Sequence, residues 1–299
     1  VKNSALLGCG LLLAACAPEL PLDDGLVTSP RILAVRGEPA ESKPGASAMY
    51  TAFVADPQGN GGIPAISWAF CIAPKPPTEN NVVSSECLNP TSLVPAGEGT
   101  SIMAATSTDA CSLFGPETPP GGFRPRDPDV TGGYYAPLQA ELAHAAPVFH
   151  LQRLLCDLGD APADLASEFA AAYVPNTNPS LLPLAFSANG ESVAPNAVAP
   201  NARVRLDASW AASDAETYAY YDGTTQTITT RRESMRVAWY VTAGSLDAAT
   251  TGRAEDDERT TTSNVWTAPA TPGSSLLWLV LRDSRGGVDF ATYELEVSP

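Results

Sequence analysis

The sequence predicts an all-β chain of two tandem β-sandwich domains, and three observations carry that expectation. From Pro30 onward, short apolar runs alternate with turn-forming clusters in a chain that holds 23 Gly and 28 Pro, which is the pattern of strands joined by tight connections. Within the runs, apolar and polar residues alternate with a period of two, so one face of each strand is suited to a core. Even without its first fifteen residues, the 299-residue chain is long enough, at about 100 to 200 residues per domain, for two domains that each bury a core.

Residues 31–36 read as a first strand, Pro44-Gly45 as a turn, 47–55 as a second strand, and 56–64 as a loop carrying Gly59, Gly61 and Gly62. In 66–72, Ile66, Trp68, Phe70 and Ile72 alternate with Ser67, Ala69 and Cys71, which puts the core on the tryptophan side and Cys71 on the other. Residues 73–130 are rich in Pro and Gly and read as an irregular excursion. A strand beginning near Tyr134 leads to another over 148–156. Residues 162–170 read as a helix, with Asp160 as a cap, Pro162 in the first turn, and Leu165, Phe169 and Tyr173 four apart. The rival strand reading rests on the echo of Glu168-Phe169-Ala170 in Asp289-Phe290-Ala291.

The second half repeats the plan. Asn178-Pro179-Ser180-Leu181-Leu182 echoes Ser29-Pro30-Arg31-Ile32-Leu33, and Val237-Ala238-Trp239-Tyr240 echoes Ile66-Ser67-Trp68-Ala69. Val204, Leu206, Ala208 and Trp210 alternate with polar residues, and so do Met235, Val237, Trp239 and Val241. Both patterns describe half-buried strands of antiparallel sheets. Residues 216–233 are an insertion that reads as an extra hairpin turning at Asp222-Gly223. The apolar run 276–281, a turn over 282–287 and a strand over 288–297 close the chain as a hairpin.

The start of the chain carries a different signal. Lys2, an apolar run over 5–13 and Leu13-Ala14-Ala15-Cys16 resemble the signal peptide and lipobox of bacterial lipoproteins, which implies cleavage before Cys16 and lipidation at that residue. The run is far shorter than the ~20 residues a transmembrane helix needs. Cys9 follows a passable lipobox, but too little apolar chain precedes it. The expected organisation is a signal peptide over 1–15, lipidated Cys16 and a flexible tether over 16–29, a first sandwich over 30–175 with long disulfide-stapled loops, and a second over 176–299. Ala17, where Asp is the usual inner-membrane retention signal in such lipoproteins, points to the outer membrane.

The order of strand, Pro-Gly turn, strand, Trp strand, Trp266-Thr267-Ala268-Pro269, apolar strand, Asp283-Ser284-Arg285-Gly286-Gly287 turn and final strand is similar to bacterial immunoglobulin-like and PKD-like sandwich domains. Residues 176–299 carry the likeness well, and 30–175 loosely. Such folds imply adhesion, spacing or assembly more often than catalysis.

Acids outnumber bases 33 to 17, for a net charge of −16. That balance excludes nucleic acid and argues against a basic patch for anionic lipid. The membrane contact must then come from the lipid on Cys16, and the expected partners are another envelope protein or a polysaccharide, with no cofactor. With Cys9 removed and Cys16 lipidated, Cys71, Cys87, Cys111 and Cys156 form an even set in an exported chain and read as two disulfides. A zinc site is disfavoured because no pair has C-x-x-C spacing. Four cysteines allow three pairings, and the strand directions implied by the immunoglobulin-like order favour Cys71 with Cys87 and Cys111 with Cys156.

Few residues suggest chemistry. His144 and His150 flank or sit in one strand, with no nucleophile elbow, and His150 reads as an ordinary strand residue. Residues 127–132 begin like a calcium loop but place Leu138 where a bidentate Glu is required. The charge run 255–258 reads as a solvated loop. The immunoglobulin-like order also places loops 211–216 and 282–287 at the same end, so Asp214, Glu216, Arg282, Asp283 and Arg285 could form a calcium or ligand site. In the competing reading, Asp283 and Gly286-Gly287 only shape a tight turn. The expectation is a non-enzymatic binding, adhesion or structural module, with the acidic end loops as the alternative.

Overall fold

The computed structural model describes residues 25–59, 65–75, 83–115, 133–143, 145–158 and 161–298. It is almost entirely β-stranded, with sheets arranged as tandem sandwich-like units. In the first unit, β1 (Arg31–Glu38), β3 (Ser47–Ala55) and β6 (Ser101–Ala105) form one sheet. The facing sheet runs β2 (Glu41–Ser42), β8 (Val148–Leu155), β7 (Gly133–Leu142), β4 (Ile66–Cys71) and β5 (Leu93–Glu98). Tyr50, Ile66, Trp68, Leu138 and Ala140 fill the space between them. The chain crosses from one sheet to the other between β1 and β2, and β2 runs parallel to β8.

The excursion over 73–130 contains more regular structure than its Pro and Gly content predicts, since β5 and β6 both lie in it. Two features of β5 hid it. Pro95 removes a ladder donor, which only an edge strand tolerates, and the register slips beside Gly97, whose φ is +144°. The short helix α1 (Ala110–Leu113) follows. Helix α2 (Ala163–Ala172) matches the helical reading of the 162–173 segment. Its N-cap position is Pro162, and Asp160 lies outside the described residues.

In the second unit, β10 (Glu191–Ser192), β9 (Ala185–Ala188), β11 (Arg203–Ser209), β17 (Thr261–Thr267) and β15 (Ser245–Leu246) form one sheet. It faces β16 (Thr250–Arg253), β14 (Met235–Val241), β18 (Gly273–Asp283) and β19 (Val288–Val297). Sequence reasoning missed the hairpin of β9 and β10, although its turn is Asn189-Gly190 with φ +52° and +84°, a strong two-residue hairpin signal. The inserted hairpin is β12 (Thr217–Asp222) with β13 (Thr227–Arg232). An isolated two-stranded hairpin is marginal in water, and this one is covered by α2, whose Phe169 packs with Ala219, Tyr221 and Ile228.

The apolar strand β18 is buried on both faces. Leu277, Leu279 and Leu281 enter the core of the second unit, while Trp278 and Val280 point outward into a second layer with Val27, Leu33, Ala34, Phe53, Ala55 and Val288. The first unit supplies part of that layer because a bulge between Ile32 and Ala34 turns Leu33 outward beside Ala34. Phe53 stacks on Phe290 with centroids 4.2 Å apart. The expected free tether over 16–29 therefore needs correction at its described end. Residue Val27 donates to the Val241 carbonyl, and Val241 donates to that of Gly25. Strand β16 pairs only with residues 235–238 of β14, so the end of β14 offers unpaired backbone groups that the apolar Leu26-Val27 segment satisfies.

Trp239 has no exposed surface, and its Nε1 donates to Thr251 Oγ1 at 2.9 Å. Trp239→Ala should cost about 3–5 kcal/mol through lost burial and a residual cavity. Chemical denaturation checks this, and an unchanged midpoint would remove Trp239 from the core.

Candidate functional site

The site develops where the segment joining the two units meets the end loops of the second. Strand β18 ends at Asp283 and turns into β19 through Ser284, Arg285, Gly286 and Gly287. Asp283 Oδ1 accepts from the backbone N–H groups of Arg285, Gly286 and Gly287 at 2.8, 2.7 and 2.8 Å. One carboxylate oxygen thus organises the whole turn. A Cβ at position 287 would stand 2.0 Å from Asp283 Oδ2 and 2.7 Å from the Thr177 carbonyl, so the close approach of the joining segment requires glycine there.

Arg285 is 2% exposed and uses its planar fork in three directions. Nε donates to Glu233 Oε1 at 2.6 Å, Nη2 to Glu216 Oε2 at 2.6 Å, and Nη1 to the Val174 carbonyl at 2.7 Å. Its guanidinium also lies over the Tyr218 ring. Glu216 accepts in turn from the backbone N–H and hydroxyl of Thr177, and Asp214 accepts from the Ser180 N–H at 3.0 Å. The acids and Arg285 therefore grip residues 174–180, the strap between the units.

The first unit holds the same strap. Glu41 Oε2 accepts from the Asn176 N–H at 2.7 Å and from Arg153 Nε at 3.2 Å, while the Tyr173 hydroxyl donates to Glu41 Oε1. Arg153 is fully buried and also donates to the Tyr135 hydroxyl. Gly133 makes room for it, because a Cβ there would fall 2.0 Å from the guanidinium carbon. Asn178 completes the strap by donating to the Gly37 carbonyl and accepting from the Val288 N–H.

The five residues expected in a ligand loop thus divide. Glu216, Asp283 and Arg285 join one hydrogen-bonded network, and Asp214 sits beside it on the strap. Arg282 is turned to the opposite face of the sheet, where Nη2 donates to the Leu33 carbonyl at 2.9 Å. Asp283 shapes the turn at Gly286-Gly287, as the competing reading had it, and Asp214, Glu216 and Arg285 are each engaged by internal partners, an arrangement that works as a structural clamp. Sequence reasoning missed Glu41, Arg153 and Glu233. For Arg153 a signal existed: it interrupts the apolar alternation of residues 148–155, and an arginine on a core strand demands a buried acid.

Three carboxyl groups surround the single cation of Arg285. Burial first, and the Asp283 carboxylate second, push Glu233 up from its ordinary 4.5 to about 8, and burial also raises Asp283. His150 is held near 4 by burial and lies edge-on to Tyr50 at 5.7 Å, so it serves as a neutral strand residue. The disulfides join Cys71 to Cys87 and Cys111 to Cys156, with Cα atoms 5.3 and 5.9 Å apart, the pairs that the strand directions favoured. The first ties the loop before β5 to the end of β4, and the second ties α1 to the end of β8. Cys16, His144 and the 127–132 loop lie outside the described residues. Among the described residues, no group of three or more His, Cys, Asp or Glu is placed to hold a metal ion.

No protein-family model and no curated protein matches the chain. Solved structures give weak and distant likenesses. The adhesin InvE of Yersinia pseudotuberculosis aligns at 10% identity and TM-score 0.24, covering 89% of this chain and 58% of its own. Three N-terminal domains of the outer capsid protein Hoc of bacteriophage RB49 align at 8% identity and TM-score 0.19, covering 90% and 59%. An Escherichia coli alpha-2-macroglobulin aligns at 11% identity and TM-score 0.22, covering 91% and 22%. The chain therefore spans less than two thirds of the length of each.

The raised position of Glu233 has a definite sign. Between its ordinary 4.5 and about 8 the folded state keeps a proton that the unfolded state releases, so this group's contribution to stability falls as pH rises through that window. Glu233→Gln should flatten the decline, which thermal melts from pH 4.5 to 8 measure. Parallel wild-type and variant curves would show that the carboxyl is not shifted.

Proposed function

We propose that the protein is a lipid-anchored envelope module in which two immunoglobulin-like sandwiches are fused into one stiff, non-enzymatic binding or structural unit. The observation that carries this reading is the shared apolar layer of Phe53, Trp278, Val280 and Val288, reinforced by the clamped strap. Domain pairs that move relative to one another have small polar interfaces. This pair buries aromatic and aliphatic side chains and bridges its rim with Arg36 and Asp289 at 3.0 Å. The strand order of the first unit, with β2 parallel to β8, suits the immunoglobulin-like assignment.

The anchor belongs to Cys16, in the lipobox-like stretch 13–16. Eight residues separate Cys16 from Gly25, and the nine steps of chain between those two positions cannot reach beyond about 32 Å. With Gly25 bonded to Val241 of the second unit, an anchor at Cys16 would hold that unit within this reach of the outer-membrane bilayer. The partner expected for such a module is another envelope protein or a polysaccharide.

Two measurements test the reading. Cys16→Ser should release the protein from membranes, since acyl chains contribute about 0.8 kcal/mol per buried CH₂ and the acidic body offers no comparable attraction. Retention after salt and carbonate washing would overturn the anchor. Val280→Asp places a charge in the shared layer and should widen the small-angle scattering profile while leaving the β signal in circular dichroism. An unchanged profile would overturn the fused arrangement.

A further inference from the structure

A groove of ≈ 700 Å³ with mixed polar and apolar walls opens beside the clamp, lined by Tyr218, Ser234, Met235, Arg236, Thr250 and Ser284 among others. Its size falls within the range of about 300–1,000 Å³ that small-molecule sites occupy. Arg236 on β14 is directly opposite Arg282 on β18, so both side chains project from the same outer face. Like charges in that position repel. Arg282 bonds the uncharged Leu33 carbonyl, and neither arginine has an acidic partner among the described residues. Arg236 is exposed, and its guanidinium makes no hydrogen bond to any described residue. This is unexpected in a chain whose acids outnumber its bases 33 to 17, where most exposed arginines find a carboxylate.

The other lining residues fit a polyhydroxylated ligand. Ser234, Ser284 and Thr250 place three hydroxyls along the groove, beside Thr251, whose hydroxyl accepts from Trp239, and Tyr218, whose ring lies under the Arg285 guanidinium. Arg253 at the far side is already engaged, donating to the Thr261 carbonyl at 2.6 Å and pairing with Asp257 at 3.6 Å. Glu255 is the carboxylate of the lining, and it lies exposed.

We propose that this groove binds an acidic saccharide, with Arg236 receiving the sugar carboxylate and the Ser and Thr hydroxyls meeting the ring hydroxyls. A guanidinium fork matches a carboxylate in two parallel hydrogen bonds, and the bound anion offsets the repulsion between Arg236 and Arg282. The proposal deepens the reading of a binding module by naming a ligand class. Membrane release of Cys16→Ser tests the anchor separately, so failure of one leaves the other standing.

The test is calorimetry on the full-length protein in detergent, with trigalacturonate as the probe and maltotriose as the uncharged control. Trigalacturonate should bind saturably and more weakly as salt rises, and maltotriose should not bind. Arg236→Ala should weaken binding by about tenfold or more, the scale of a lost hydrogen bond to a charged group, with a melting temperature that is no lower than that of the parent. Glu255→Gln should tighten it by removing a repelling carboxylate. No saturable heat with trigalacturonate at millimolar concentration, equal binding of maltotriose, or undiminished binding by a folded Arg236→Ala variant would each overturn the proposal.

Discussion

The double burial of β18 is the constraint on which the rest of the architecture depends. An antiparallel sheet commonly faces water on one side, yet here Trp278 and Val280 give the outer face the same apolar character as the inner face of Leu277, Leu279 and Leu281. Left exposed, such a face would be a site of association. The first unit covers it, and several local features follow from that need. The bulge in β1 turns Leu33 outward, Phe53 stacks on Phe290, and the segment before β1 lies against the end of β14.

An apolar layer resists separation but specifies orientation poorly, because burial is not directional. Directional restraint comes from the strap. Glu41 and Arg153 hold it from one side, Arg285, Glu216 and Asp214 from the other, and Asn178 touches both units. Buried ions are expensive to desolvate, and they persist where each has several well-placed partners. Arg285 meets that condition with two carboxylates and a carbonyl. Burial first, and the neighbouring Asp283 carboxylate second, explain why Glu233 holds its proton so far above the ordinary carboxylate range.

The groove differs from the clamp in one physical respect. The charged groups of the clamp point inward and bond one another, whereas Arg236 points outward and has no acidic partner among the described residues. Both lie near the same end of the second unit, so the turn that fixes the strap also sets one wall of the groove through Ser284.

Much of the fold was legible in the sequence, because strand formation is written in local periodicity. The alternations around Trp68, Leu206 and Trp239 named their strands and inward faces, and the Asp222-Gly223 turn marked its hairpin. The unbroken apolar run 276–281 already carried the mark of burial on two sides, although nothing local says what covers the second. Strand β5 stayed hidden because an edge strand with Pro95 and Gly97 resembles a loop until its neighbour is known. Apart from the turn-shaping role of Asp283, which the Gly286-Gly287 pair signals, the fate of the acids could not be read. Asp214, Glu216 and Asp283 have the same chemistry whether they hold a ligand or a neighbouring backbone. The choice rests on distances between residues such as Glu233 and Arg285, 52 positions apart, and only the tertiary structure brings those together.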